Sequence, residues 1–234
     1  MENLLEVRDV HTFIGQFHIL QGVTVNVPKG TITALLGRNG AGKTTTLKTI
    51  LGLTPPRTGT IIFDGQEIQG RRTLDISAMG IGFVPDYRAI FRDLSVEENL
   101  RIAERRQGDL ERKADLIFGL FPDLKRLIKL RGTQLSGGQQ QMLAIARALV
   151  ADNKLLLIDE PTEGLAPVII EQMIAAILKL SADTTVLLVE QNFQVASQLA
   201  RHYVIIEEGR SVKSGAMADL LKDEATIHRY LGAA

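Results

Sequence analysis

Residues 37–45 read GRNGAGKTT, and no other stretch constrains the fold as tightly. The spacing G-x-x-x-x-G-K-[ST] falls on Gly37, Gly42, Lys43 and Thr44. It cradles phosphate only if a strand ends at the first glycine and a helix begins near the lysine. The intervening backbone N–H groups then curl round the anion, and the helix adds its positive end. Both flanks are present: TITALLG reads as a buried strand, and the segment from Lys43 to about Leu53 reads as a helix stopped before Pro55-Pro56. The whole loop, Gly37, Arg38, Asn39, Gly40, Ala41, Gly42, Lys43, Thr44 and Thr45, is therefore assigned to a nucleotide polyphosphate. Lys43 should reach the β- and γ-phosphates, and the Thr44 hydroxyl should ligate Mg²⁺.

A second stretch supplies the acid. LLLIDE at 155–160 has four apolar residues that deliver Asp159 to the carboxyl end of a buried strand, where parallel sheets bind ligands. Asp159 is expected to hold Mg²⁺ through water, and Glu160 to take a proton from the attacking water. Beyond residue 138 the pattern runs helix, LLLID, helix, TTVLLVE, helix, YVIIEE, which predicts a parallel sheet. The first sixty-five residues are instead β-rich, with apolar runs at 4–10, 18–27, 31–36 and 60–64 broken by turn residues. Between the two lies a helical stretch: SVEENLRIAERR opens with a Ser95/Glu98 capping box, and LERKADLIFGLF follows. Ile170, Met173, Ile174, Ile177 and Leu178 have helical spacing and are expected in the core.

Charge and composition exclude several partners. Lys plus Arg equals Asp plus Glu at 27 each, so there is no global electrostatic footprint for nucleic acid. The helical stretch 91–131 holds ten basic and eight acidic residues, a solvated surface rather than a basic patch. Cysteine is absent, which excludes disulfides and thiolate metal sites. MENLLEVRDV lacks the features of a signal peptide, and no apolar run reaches the roughly 18 residues of a spanning helix. A chain in solution in the cytoplasm is expected.

One motif remains. LSGGQQQ at 135–141 is a second glycine-rich anion site, with Ser136 placed to cap a helix starting at Gly137-Gly138. Together with the phosphate loop and the IDE strand it resembles the signature of the ABC (ATP-binding cassette) ATPases. That resemblance covers nearly the whole chain and implies an α/β fold: a P-loop NTPase with an N-terminal antiparallel β layer and an inserted helical subdomain. A single domain over 1–234 is expected, with 1–87 and 138–234 as catalytic core and 88–137 as the helical subdomain bearing the signature. In that family the signature serves the nucleotide of the partner subunit, so Ser136, Gly137 and Gly138 would act in trans on ATP held by a second copy or a sister chain.

FVPDYRAIF (83–91), DEPTEGLAP (159–167), LLVEQN (187–192) and YLG (230–232) resemble the ATPase subunit of branched-chain amino acid importers. Gln191 stands where most cassettes have a switch histidine. Asp86 takes a loop position that is Gln in most cassettes, with a carboxylate able to accept from Mg²⁺-bound water. Ile14 occupies the place of an adenine-stacking tyrosine, and Phe13 beside it faces the opposite side of the strand. The resemblance implies ATP and Mg²⁺ as cofactors, membrane permease subunits as partners and, indirectly, a periplasmic solute-binding protein. The location it implies is peripheral, on the cytoplasmic face of the inner membrane. Urea or short-amide importers share most of these marks. A DNA-repair ATPase would carry sustained heptads between loop and signature, a ribosome-associated protein two cassettes, and a small-molecule kinase no LSGGQQQ.

Overall fold

The computed structural model describes residues 2–232. Two long strands, β1 (Asn3–Ile14) and β2 (Phe17–Pro28), form a hairpin about Gly15-Gln16. β3 (Ile32–Leu36) runs through the phosphate loop into α1 (Lys43–Ile50). β4 (Thr58–Phe63) and the short β5 (Gln66–Glu67) return to the hairpin, and α2 (Thr73–Ala78) leads to β6 (Ile81–Val84). The helical stretch comprises α3 (Val96–Arg101), α4 (Asp109–Leu120) and α5 (Pro122–Arg126), and α6 (Gly137–Val150) follows it. β7 (Leu155–Asp159), α7 (Pro167–Leu180), β8 (Thr185–Val189), α8 (Phe193–Leu199), β9 (His202–Glu207) and β10 (Arg210–Ala216) complete the alternation. Short helical turns at Met217–Leu220, Glu224–Thr226 and Ile227–Leu231 close the described chain.

The strands make two sheets. One is antiparallel, in the order β2-β1-β4-β5; the other has the order β10-β9-β3-β8-β7-β6 and is parallel except for β10. Strand alternation decides what each face buries. Leu155 and Leu157 of β7 face α1 and the antiparallel layer, joining Leu35, Leu47, Ile50, Leu187 and Ile206. Leu156 and Ile158 point the other way, into a cluster with Leu143, Met173 and Ile177. Val96, Leu100, Leu110, Ile117 and Leu124 of the helical stretch join that second cluster, so α3–α5 pack over the helical face. Every residue of β3, β7 and β8 is buried, as strands covered on both faces must be. Among the described residues no helix is long and apolar enough to cross a membrane.

Several elements differ from the sequence expectation, each for a local reason. α1 ends at Ile50 rather than Leu53, because Gly52 N closes a tight turn onto the Thr49 carbonyl. α3 stops at Arg101: the Asp109 carboxylate accepts from the backbone N–H groups of Arg105 and Arg106, at 3.1 and 2.9 Å, and draws the chain into a loop. Leu178 is 44% exposed and not a core residue; Met173, Ala176, Ile177 and Leu180 form the buried stripe of α7, with Ile170 and Ile174 partly buried at its margin.

Candidate nucleotide-binding site

The phosphate loop follows β3 and lies against the end of β9. Gly37 has φ 146°, and a Cβ there would run into the Ile206 carbonyl, so this position tolerates no side chain. Gly209 N donates to the Ala41 carbonyl at 2.9 Å and ties the loop to the turn after β9. Lys43 is buried, and its ammonium donates to the carbonyls of Gly37 (2.9 Å) and Arg38 (3.2 Å) while lying 3.5 Å from Glu160 Oε1.

The carboxyl ends of β7 and β8 supply the rest. Asp159 is fully buried, and neither carboxylate oxygen has a hydrogen-bond partner among the described residues. Burial pushes its carboxyl up to about 6, with the charges of Asp86 and Glu160 adding to the rise. The Thr44 hydroxyl, near enough to pull the other way, closes no hydrogen bond with it. A buried, unpartnered carboxylate beside a hydroxyl and Asp86 is an all-oxygen donor set, the kind that suits Mg²⁺ and its waters. Glu160 takes φ 45°, strained for a residue with a side chain, and is held there by its N–H bond to the Val189 carbonyl at 2.9 Å. Both Glu160 oxygens accept from Gln191 Nε2 at 3.2 Å, and the same amide donates to Asn39 Oδ1.

Lys43, Glu160 and Gln191 border one cleft of about 320 Å³, whereas Asp159, fully buried, is not among its lining residues. The cleft collects Asn39, Gly40, Gly42, Lys43, Thr44, Thr45, Asp86, Glu160 and Gln191 from the sequence-derived set. Gly37, Arg38 and Ala41 complete the same loop behind it. Ser136, Gly137 and Gly138 are not among its lining residues. Ser136 caps α6 with both halves of a capping box, and Gly137 and Gly138 lie against Arg88 and Ile169. Ile14 is likewise absent from the cleft lining; it pairs with Phe17 at the hairpin tip, 47% exposed.

Two lining residues escaped the sequence reading. Thr12 pairs with Leu20 but Phe13 with His18, so a bulge leaves Ile19 unpaired and aimed at the cleft. No residue type marks such a bulge in advance. Glu163 also lines the cleft, and the Glu160 carboxylate beside it raises its carboxyl above the usual range. Its place in DEPTEGLAP was the available signal. Phe13 is occupied elsewhere, stacked on His18 at 4.2 Å with the Arg57 guanidinium 3.8 Å above its ring.

A family profile described as ABC transporter matches residues 20–163. Over 232 residues the chain is 41% identical to the high-affinity branched-chain amino acid transport ATP-binding protein BraG of Pseudomonas aeruginosa, covering 98% of this chain and 100% of that protein. It is 38% identical to the probable branched-chain amino acid transport ATP-binding protein LivF of Archaeoglobus fulgidus, over 89% of this chain and 90% of that one. Among solved structures, a dimeric post-hydrolysis state of an ATP-binding cassette bound to ADP and Pi superposes with a TM-score of 0.80 at 24% identity, covering 91% of this chain and 98% of that chain.

Proposed function

We propose that this chain, which belongs to the ABC transporter family, hydrolyses ATP to drive the import of branched-chain amino acids. The observation that carries the reading is the convergence of the Lys43 ammonium, the Glu160 carboxylate, the Gln191 amide and the unpartnered Asp159 carboxylate at the ends of three adjacent parallel strands. The loop N–H groups and Lys43 bind the triphosphate. Glu160 accepts a proton from the attacking water as the water oxygen bonds to the γ-phosphorus and the bond to the leaving β-phosphate oxygen breaks. Gln191 holds that carboxylate in place through its two-fold contact with the amide. Mg²⁺, when bound, neutralises charge developing on the phosphates; Thr44 would hold it directly, with Asp159 and Asp86 reaching it through water.

The signature residues Ser136, Gly137 and Gly138 are assigned to the nucleotide of a second ATPase subunit, a copy of this chain or a sister chain. The range 88–137 is taken as the inserted subdomain and the remainder of 1–234 as the catalytic core. Permease subunits hold the pair at the cytoplasmic face of the inner membrane, and a periplasmic binding protein feeds them solute. Removing this chain from its host should abolish ATP-driven uptake of radiolabelled leucine, isoleucine and valine. Restoring Glu160→Gln should not return it. Intact amino acid uptake with loss of urea or short-amide uptake would overturn the substrate assignment and leave the ATPase.

A further inference from the structure

Glu190 belongs to none of the roles above, yet it is a carboxylate only 2% exposed beside the switch position. The strand end alternates: Gln191 turns out towards Glu160 and Asn39, and Glu190 turns in. Inside, its Oε1 accepts from the hydroxyl of Thr162, itself 5% exposed, at 2.7 Å. Its Oε2 receives the Asn192 N–H at 3.4 Å, and the Asn192 side chain caps α8. Thr162 lies two residues beyond Glu160 on the same loop, and the Glu160 N–H is bonded to the Val189 carbonyl. A ring of contacts therefore closes, from Glu160 through Thr162 and Glu190 to Gln191 and back to the Glu160 carboxylate.

We infer that Glu190 is a positioning residue for ATP hydrolysis, fixing the Gln191 amide against Glu160 by anchoring the loop at Thr162. A buried carboxylate with a single short hydrogen bond is a costly way to hold two loops, and an apolar pair of similar volume would hold them at least as firmly. What the carboxylate adds is direction. Its bond at Thr162 sets where the loop carrying Glu160 lies relative to the strand end carrying Gln191. Burial holds the Glu190 carboxyl above its usual range, opposed by the Thr162 hydroxyl and by the backbone N–H groups of Asn192 and Thr162.

The inference rests on the reading of Glu160 and Gln191 given above, and the test separates the two. In the full chain, Glu190→Leu leaves the Thr162 hydroxyl unpaired and should fold with a melting temperature lowered by no more than a few degrees, lower kcat about tenfold and leave the KM for MgATP within about twofold. Glu190→Gln, which keeps an acceptor for Thr162, should recover most of kcat. Thr162→Val should reproduce the loss and Thr162→Ser should not, and this pair carries the test if Glu190→Leu does not fold. Added to Gln191→Ala, Glu190→Leu should cost less than about twofold more, since both act on one contact. Losses that multiply, a change confined to KM, or an unaltered kcat would overturn the positioning role. Glu160→Gln in the same assay guards the premise: substantial turnover there would overturn the reading of the site, and with it this one.

Discussion

Asp159 carries a charge where the fold gives it no partner, and this has a measurable cost. A carboxyl raised from 3.8 to about 6 in the folded chain binds its proton more tightly there than when unfolded. The associated stability is complete below about pH 4 and is lost as pH rises through about 6. Without Mg²⁺ or nucleotide, Asp159→Asn should therefore stabilise the chain at pH 8, by about 1–3 kcal/mol, and do little at pH 4. Urea titrations at the two pH values read this directly, and an equal effect at both would refute it. Gln191 has no titrating group, so the pH–rate profile should lack a limb from this position, and Gln191→His should acquire one near neutrality. At the hairpin proposed for the adenine side, Phe13 lies between His18 and Arg57, whereas Phe17 is 66% exposed beside Ile14. Alanine at 17 should weaken ATP more than alanine at 13 or 14, by up to about tenfold for one stacking contact; equal losses at all three would refute this. The phosphate loop was legible from its spacing, and the positions of Asp159 and Glu160 from the apolar run that ends in them. Ile19 and the Glu190–Thr162 pair were not, because a bulge and a contact across 28 residues leave no local pattern.

Among the elements, α6 shows how a local rule and a distant role share one residue. Ser136 accepts from Gln139 N, and the Gln139 side chain returns to Ser136 N at 2.9 Å. Losing that cap costs about 1 kcal/mol of helix stability, too little to unfold the chain. Ser136→Arg should accordingly fold and bind nucleotide as a monomer, yet lose ATPase turnover. Mixing it with Lys43→Ala chains should restore one competent site per heterodimer where two copies pair. Loss of nucleotide binding by the isolated Ser136→Arg monomer would place the signature in cis. β3, α6, β7, β8 and β9 were legible because apolar runs or a cap mark them. α2, β6 and β10 were not. β6 is four residues with a glycine inside, and β10, RSVKSGA, is a largely polar edge strand that exists through its pairing with β9.

For the molecule as a whole, neutrality and two-sided burial have consequences together. With 27 basic and 27 acidic residues the chain has no net charge to steer association over long range, so pairing in the proposed ATP sandwich should depend only weakly on ionic strength. A β-rich N-terminal region and the parallel sheet were foreseeable from periodicity, whereas the antiparallel pairing of the first was implied only by the family resemblance. Their stacking about α1 came only from tertiary contacts such as Thr24 N donating to Ser211 Oγ at 2.9 Å, across 187 residues. In the proposed mechanism Glu160 takes the proton within an ATP-dependent pair of ATPase subunits. Glu160→Gln, followed by phosphate release and by light scattering in MgATP, tests it most directly. Turnover should fall by roughly 10²–10⁴-fold, the worth of a general base, while the protein accumulates as an ATP-bound dimer. Turnover close to that of the unaltered chain would show that Glu160 is not the base.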